Sequence, residues 1–145
     1  MPTLHRSWLA RFWLAASLSC GLAFAAVAQD TSVEREVKAA PGRDVRVGVY
    51  TDIRRDCTAG PLPAIRLATP PAHGTVTVKR GTLKATNIKQ CLATEVPALV
   101  AFYRAADGYN GPDTFDLEVV LAGGGKQIQH FRVQVTNNPG TGQGI

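Results

Sequence analysis

Cys57 and Cys91 stand 34 positions apart, His73 and His130 lie far from each other in the chain, and Ser32 is the one serine beyond residue 28. These are the side chains with which catalysis or metal binding would have to begin. A serine nucleophile needs a sharp turn such as G-x-S-x-G to present its hydroxyl, and Ser32 has no such setting. Redox-active cysteines normally sit two residues apart as C-x-x-C. A widely spaced pair in a small exported chain is most simply a disulfide, and closing this loop stabilises the fold by about 4 kcal/mol in the chain-entropy model. With both sulfurs bonded to each other, no thiol nucleophile is left. A transition-metal site wants three or four convergent nitrogen, sulfur or carboxylate ligands, which two isolated histidines do not supply, so no metal or other cofactor is expected. Asp107, Asn110 and Asp113 recur every third residue in one stretch and can offer oxygen ligands to Ca²⁺, although the spacing is not that of an EF-hand. Asp116 and Glu118 alternate along a strand-like run and read as solvated surface charges.

The remaining candidates are basic. Lys79, Arg80, Lys84 and Lys89 fall in one stretch, with Arg54 and Arg55 just before Cys57. Together they can form a patch for an anionic envelope partner; lysines also guard exposed strand edges against aggregation.

The first 28 residues narrow the chemistry further. Basic Arg6 and Arg11 precede an apolar stretch from Phe12 to Phe24, and Ala26-Val27-Ala28 comes just before polar Gln29-Asp30. That order is a cleavable secretory signal, giving a mature chain from Gln29 and a periplasmic or secreted location. The apolar run is interrupted by Ser17, Ser19, Cys20 and Gly21 and falls short of a retained membrane span. Ser17 occupies the position where a lipoprotein signal carries leucine, so Cys20 reads as an ordinary residue of the signal. Cleavage removes Trp8 and Trp13, three of four serines and the odd cysteine. Of 16 Lys and Arg, Arg6 and Arg11 are also lost, which leaves 14 against 11 acids, a net +3. This mild charge serves solubility; nucleic acid is not an expected partner, and a monomer is expected. The 117 residues left from 145 suit one domain with one core.

The elements that must position these residues are strands. No window sustains a period of 3.6, whereas alternation with period two recurs between Gly and Pro turns. Residues 33–39 and Val45, Val47 and Val49 flank a Pro41-Gly42-Arg43-Asp44 turn and predict an opening hairpin. Ile65 and Leu67 end at Pro70-Pro71, and Val76 and Val78 follow His73-Gly74. Gly81 is expected to part this last strand from a polar one near 82–88. Residues 99–104 predict a central strand. Phe115, Leu117, Val119 and Leu121, then Gly123-Gly124-Gly125, then Phe131, Val133 and Val135 spell a hairpin, whose outward faces would carry Asp116, Glu118, Gln129, Arg132 and Gln134, with His130 also outside. About seven short strands make an all-β sandwich the economical architecture, with a small closed barrel as the alternative. The domain is expected over 29–138, with 139–145 a disordered tail.

Two runs carry a resemblance. Pro71-Ala72-His73-Gly74-Thr75-Val76-Thr77-Val78, followed by Phe102-Tyr103-Arg104-Ala105-Ala106-Asp107-Gly108-Tyr109-Asn110-Gly111-Pro112-Asp113-Thr114-Phe115, resembles the bacterial Ig-like or cadherin-like repeats of surface proteins, with their "P-x-H-G-T-V" and "Y-x-P-x-x-G-Y-x-G-x-D-x-F" patterns. The likeness covers residues 33–136 and implies an Ig-like antiparallel sandwich with adhesive, spacer or recognition roles. His73, Gly74, Tyr103, Gly108, Tyr109, Gly111, Asp113 and Phe115 are then structural: the glycines permit unusual backbone, Tyr103 and Phe115 fill the core, and Asp113 bonds amides of its own loop. Ala105 replaces the family's proline, the two cysteines are additions, and no internal repeat is present, which together suggest a stand-alone secreted variant. The expected function is a non-enzymatic interaction or scaffold domain binding an envelope protein or glycan. The alternative is a small envelope enzyme, or an accessory protein of one, that uses the oxygen-rich 107–113 loop.

Overall fold

The computed structural model describes residues 31–85, 91–92 and 94–137. The signal reading over 1–28, the tail over 139–145 and Lys89 lie outside the described residues. Seven strands form in chain order: β1 (Thr31–Ala39), β2 (Asp44–Tyr50), β3 (Ala64–Thr69), β4 (Gly74–Lys84), β5 (Glu95–Ala105), β6 (Gly111–Val120) and β7 (Lys126–Val135). They make two sheets, β1-β7-β6-β3 and β2-β5-β4. The fold is an all-β sandwich with one disulfide, Cys57–Cys91. Four of its strand pairs are antiparallel, and β1 runs parallel to β7.

The core follows from alternation in β5, β6 and β7. Ala101, Tyr103 and Ala105 of one sheet face Phe115, Leu117, Phe131, Val133 and Val135 of the other, all buried. Phe115 and Phe131 are directly opposite in register and stack at 4.6 Å between ring centroids, with Tyr103 stacked on Phe115 at 5.5 Å. Near-parallel aromatic pairs of this kind add to the burial of large apolar area. Val119 continues the same buried row, whereas Leu121 stands in the turn and is exposed.

Several sequence expectations are corrected here. The stretches before and after Pro41-Gly42 do not pair as a hairpin, because β1 joins β7 and β2 joins β5 in the other sheet. The turn thus crosses the sandwich, as the buried faces of both strands require. The Val45-Val47-Val49 alternation is broken by a bulge between Arg46 and Gly48. One extra residue reverses the facing of everything beyond it, so Val49 is exposed and Tyr50 packs against the core. Gly81 interrupts nothing: β4 continues through it, pairing Gly81 with Ala98 and ending at Lys84. A continuous partner strand carries a glycine that propensity alone would treat as a break. The central strand starts earlier than Leu99, at Glu95, and includes Pro97. The missing N–H there is tolerated because pairing with β2 stops at Tyr50 opposite Leu99, leaving Pro97 with a partner on one side only. Gln129 shares the inward face with Phe131 and is buried, accepting a 2.8 Å hydrogen bond from the Tyr50 hydroxyl and donating one to Gln127.

Candidate functional site

The direction of the strands sets two poles. The β1–β2, β3–β4 and β5–β6 connections meet at one end; the β2–β3, β4–β5 and β6–β7 connections occupy the other. The residues that carried the family resemblance assemble at the first pole.

Asp113 is the centre of that corner. It is 4% exposed, and its two carboxylate oxygens accept hydrogen bonds from the backbone N–H groups of Ala72 at 3.0 Å, His73 at 3.1 Å and Thr114 at 2.9 Å, and from the Tyr103 hydroxyl at 2.7 Å. Three of the four donors therefore come from outside its own loop, two of them from the β3–β4 connection some forty residues earlier. The carboxylate is a clamp between loops, where the sequence indicated a local turn. The Ala106 N–H completes the link by donating to the His73 carbonyl at 2.8 Å. His73 stacks on Tyr109 at 4.1 Å between ring centroids, and the Tyr109 hydroxyl donates to the Pro112 carbonyl at 2.7 Å.

The glycines serve different ends. Gly108 and Gly111 have positive φ, 74° and 141°, a region that favours glycine. Gly74 has an ordinary φ and is instead a close-approach position: a Cβ would stand 2.6 Å from the Tyr103 ring and 2.7 Å from the Arg104 carbonyl oxygen. The two kinds of requirement look alike in the sequence.

This corner has little left to offer a ligand. The oxygens of Asp113 are occupied, and Asp107, exposed, ion-pairs loosely with Arg104. Of the three oxygen-bearing residues of the 107–113 loop, Asp113 is thus turned to the protein's own donors. At the other face of β6 and β7, His130 Nδ1 meets Asp116 at 2.6 Å. The Thr69 hydroxyl and then His130 hold the Asp116 carboxyl below the usual carboxylate range. Among the described residues the buried polar side chains are Asp113 and Gln129, and both are hydrogen-bonded.

Burial, together with the Asp113 carboxylate that accepts its hydroxyl proton, pushes the Tyr103 phenol well above the usual tyrosine range; burial also raises Tyr50. A folded pKa above the unfolded one contributes stability below the unfolded value and loses it as pH rises beyond. Stability should accordingly be insensitive to tyrosine ionisation up to about pH 10 and fall above it. In an ultraviolet tyrosinate titration, Tyr50 and Tyr103 should ionise later than free tyrosine, with Tyr103 last and together with unfolding. Complete, reversible ionisation of Tyr50 and Tyr103 near pH 10 in a folded protein would contradict this arrangement.

Two of the basic residues expected in one patch do not share a face. Lys79 and Arg80 are adjacent in β4 and so point to opposite faces of its sheet. Lys79 lies over the Phe102 ring at 5.2 Å from its centroid, and Lys84 ion-pairs with Glu95 at 3.5 Å. Arg54 and Arg55 lie in the tight turn before Cys57, on the second pole. A different group of cations escaped the sequence reading: Arg35, Lys38, Arg46 and Arg132 flank a half-open trough of about 970 Å³ along β1 and β2. The trough exists because β1 pairs with β7 rather than with β2 and so lies in the other sheet, which the false hairpin concealed.

One surface feature stands apart. Leu67 is directly opposite Leu117, and Val78 is directly opposite Ala101, so both share the core face of their sheets. Both are nonetheless exposed, at 44% and 41%. The interior of the sandwich is thus open along the flank where edge strands β3 and β4 stand, while β1 and β2 approach each other on the opposite side.

No family model matches this sequence, and no curated protein matches it.

Proposed function

We propose that this chain is an exported, non-enzymatic Ig-like interaction or scaffold domain that binds a protein or glycan of the cell envelope. The observation that carries the proposal is how the chemically capable groups are used. The cysteines are bonded to each other, Asp113 is saturated by four donors, His73 is stacked on Tyr109 and His130 is bonded to Asp116. All of them hold loops or strands together, and the surface they support is that of a scaffold. The secretory-type N-terminus and the disulfide, which suits an oxidising compartment, support the envelope location. The likeness of the 71–78 and 102–115 motifs to surface-protein repeats agrees with a recognition role.

Affinity capture from periplasmic and outer-envelope extract tests this, using oxidised protein beginning at Gln29. A discrete envelope protein or glycan should be retained in saturable fashion. Absence of any saturable partner, or turnover of an envelope component by the purified protein, overturns the proposal.

A further inference from the structure

The open flank of the sandwich has the chemistry of a strand acceptor. Strand β4 is an edge strand of 11 residues, and no described strand pairs with its second side, so a row of backbone N–H and C=O groups is unpaired there. Its core-facing row runs Val76, Val78, Arg80: two apolar side chains followed by a cation. Leu67 and Ile65 of β3 stand across the gap on the corresponding face of the other sheet. Among the described residues, Arg80 has no acidic partner, in contrast to Lys84 and Arg66, which ion-pair with Glu95 and Glu118. Position 81 is open as well, since a Cβ there would meet nothing within 4 Å.

Resting on the interaction-domain reading above, we propose that β4 binds an extended acidic segment of a partner protein by β-strand addition. The backbone edge demands an extended peptide, whose main chain would continue the sheet. Period two decides which of its side chains enter: two apolar residues at alternate positions cover Val76 and Val78 and fill the gap toward Leu67, and an acidic residue two places further meets Arg80. A second copy of this chain is the wrong occupant. Antiparallel pairing of β4 with its own copy about the middle of the strand sets Lys79 opposite either Lys79 or Arg80 of that copy, and like charges opposite one another destabilise a sheet. The same cations that reject a like edge select an acidic one.

The test uses the oxidised chain from Gln29 and a dye-labelled alternating peptide about eight residues long, enough to span most of β4, with threonine at every second position and valine, valine and glutamate in turn at the positions between, so that all three share one face. Anisotropy should show saturable binding, with slowed amide hydrogen exchange in β4. Arg80→Glu should weaken binding about tenfold or more, since it replaces an attraction by a repulsion. Val78→Asp should do the same, whereas Leu121→Asp, at an exposed position in the β6–β7 turn, should not. A peptide of equal charge with proline at alternate positions, which cannot donate to the ladder, should bind at least about tenfold more weakly. Lack of binding by the alternating peptide, equal binding of the proline peptide, indifference to Arg80→Glu, or dimerisation of the free protein through β4 overturns strand addition. Displacement of the peptide by a glycan polyanion such as lipopolysaccharide, with no β4 protection, assigns the surface to charge alone and also overturns it. If an envelope partner is still captured by the Arg80→Glu and Val78→Asp variants, the interaction function stands and only this mode of binding falls.

Discussion

Asp113→Ala is expected to lower the free energy of unfolding by about 3 kcal/mol or more, measured as a shift of the urea midpoint at neutral pH. Hydrogen bonds to a charged group contribute about 1.5–3 kcal/mol each, and Asp113 accepts four. The contributions do not simply add, because the four donors share one carboxylate. What makes the loss large is that the Tyr103 hydroxyl, on a fully buried side chain, would be stranded without a partner. Orphaning a buried donor costs more than forming its bond returns. Asp113→Asn keeps the shape yet places an amide N–H₂ where a donor now points, so it should recover only part of the loss. Tyr103→Phe removes the stranded hydroxyl along with its bond and should be milder than Asp113→Ala. An Asp113→Ala protein within about 1 kcal/mol of the parent would show that the β3–β4 and β5–β6 connections are held by packing alone.

Reducing the Cys57–Cys91 disulfide is expected to cost about 4 kcal/mol for the 34-residue separation it closes. The bond ties the β2–β3 connection to the β4–β5 connection, at the pole opposite Asp113. Cys57 has a positive φ of 65°, unusual for a residue with a side chain. The surrounding turn holds it there: Cys57 N–H donates to the Arg54 carbonyl at 3.0 Å, Arg54 N–H to the Thr58 carbonyl at 2.9 Å, and the Thr58 hydroxyl to Asp56 at 2.7 Å. Once the covalent link is gone, the turn must be held in its left-handed conformation by bonds within 52–60, these and the Ile53–Ala59 bridge among them. The Cys57→Ala/Cys91→Ala protein should therefore match the reduced form in its denaturant midpoint, and hydrogen exchange should accelerate first around 51–60 and in the N-terminal part of β5. Unchanged stability on full reduction would mean that the loop is already closed by packing.

The two effects are independent because they act at opposite ends of the sandwich. Sites this far apart with no shared partner usually add, so an Asp113→Ala protein under reducing conditions should lose close to the sum. A loss of that size is a large fraction of the stability of a small domain, and the combined variant should be unfolded or nearly so at room temperature.

Period-two alternation was enough to find the last hairpin, because β6 and β7 each have one face buried against the other sheet and one toward solvent, and no bulge disturbs them. Cysteine counting was enough for the pairing of Cys57 with Cys91, since only two cysteines follow the leader-like segment. Alternation failed where a tertiary partner overrode the local signal. A glycine in β4 reads as a break until β5 is seen to pair straight through it, and three alternating valines in β2 read as one face until the bulge after Arg46 turns Tyr50 inward.

The residues of the structural corner were legible as types: a sequence with Gly74, Tyr103, Asp113 and Phe115 in those motifs requires a turn, a large buried ring and a capped loop. Their partners were not, because a carboxylate can cap its own loop or a distant one, and only the crossing of β3–β4 over β5–β6 decides between them. The same holds for the flank. Leu67 and Val78 sit in runs that predict core-facing side chains, and they do face the core. Only the separation of β3 from β4 decides that this part of the core is left uncovered, because alternation along a strand sets which way a side chain points and says nothing about how near the opposite sheet will come.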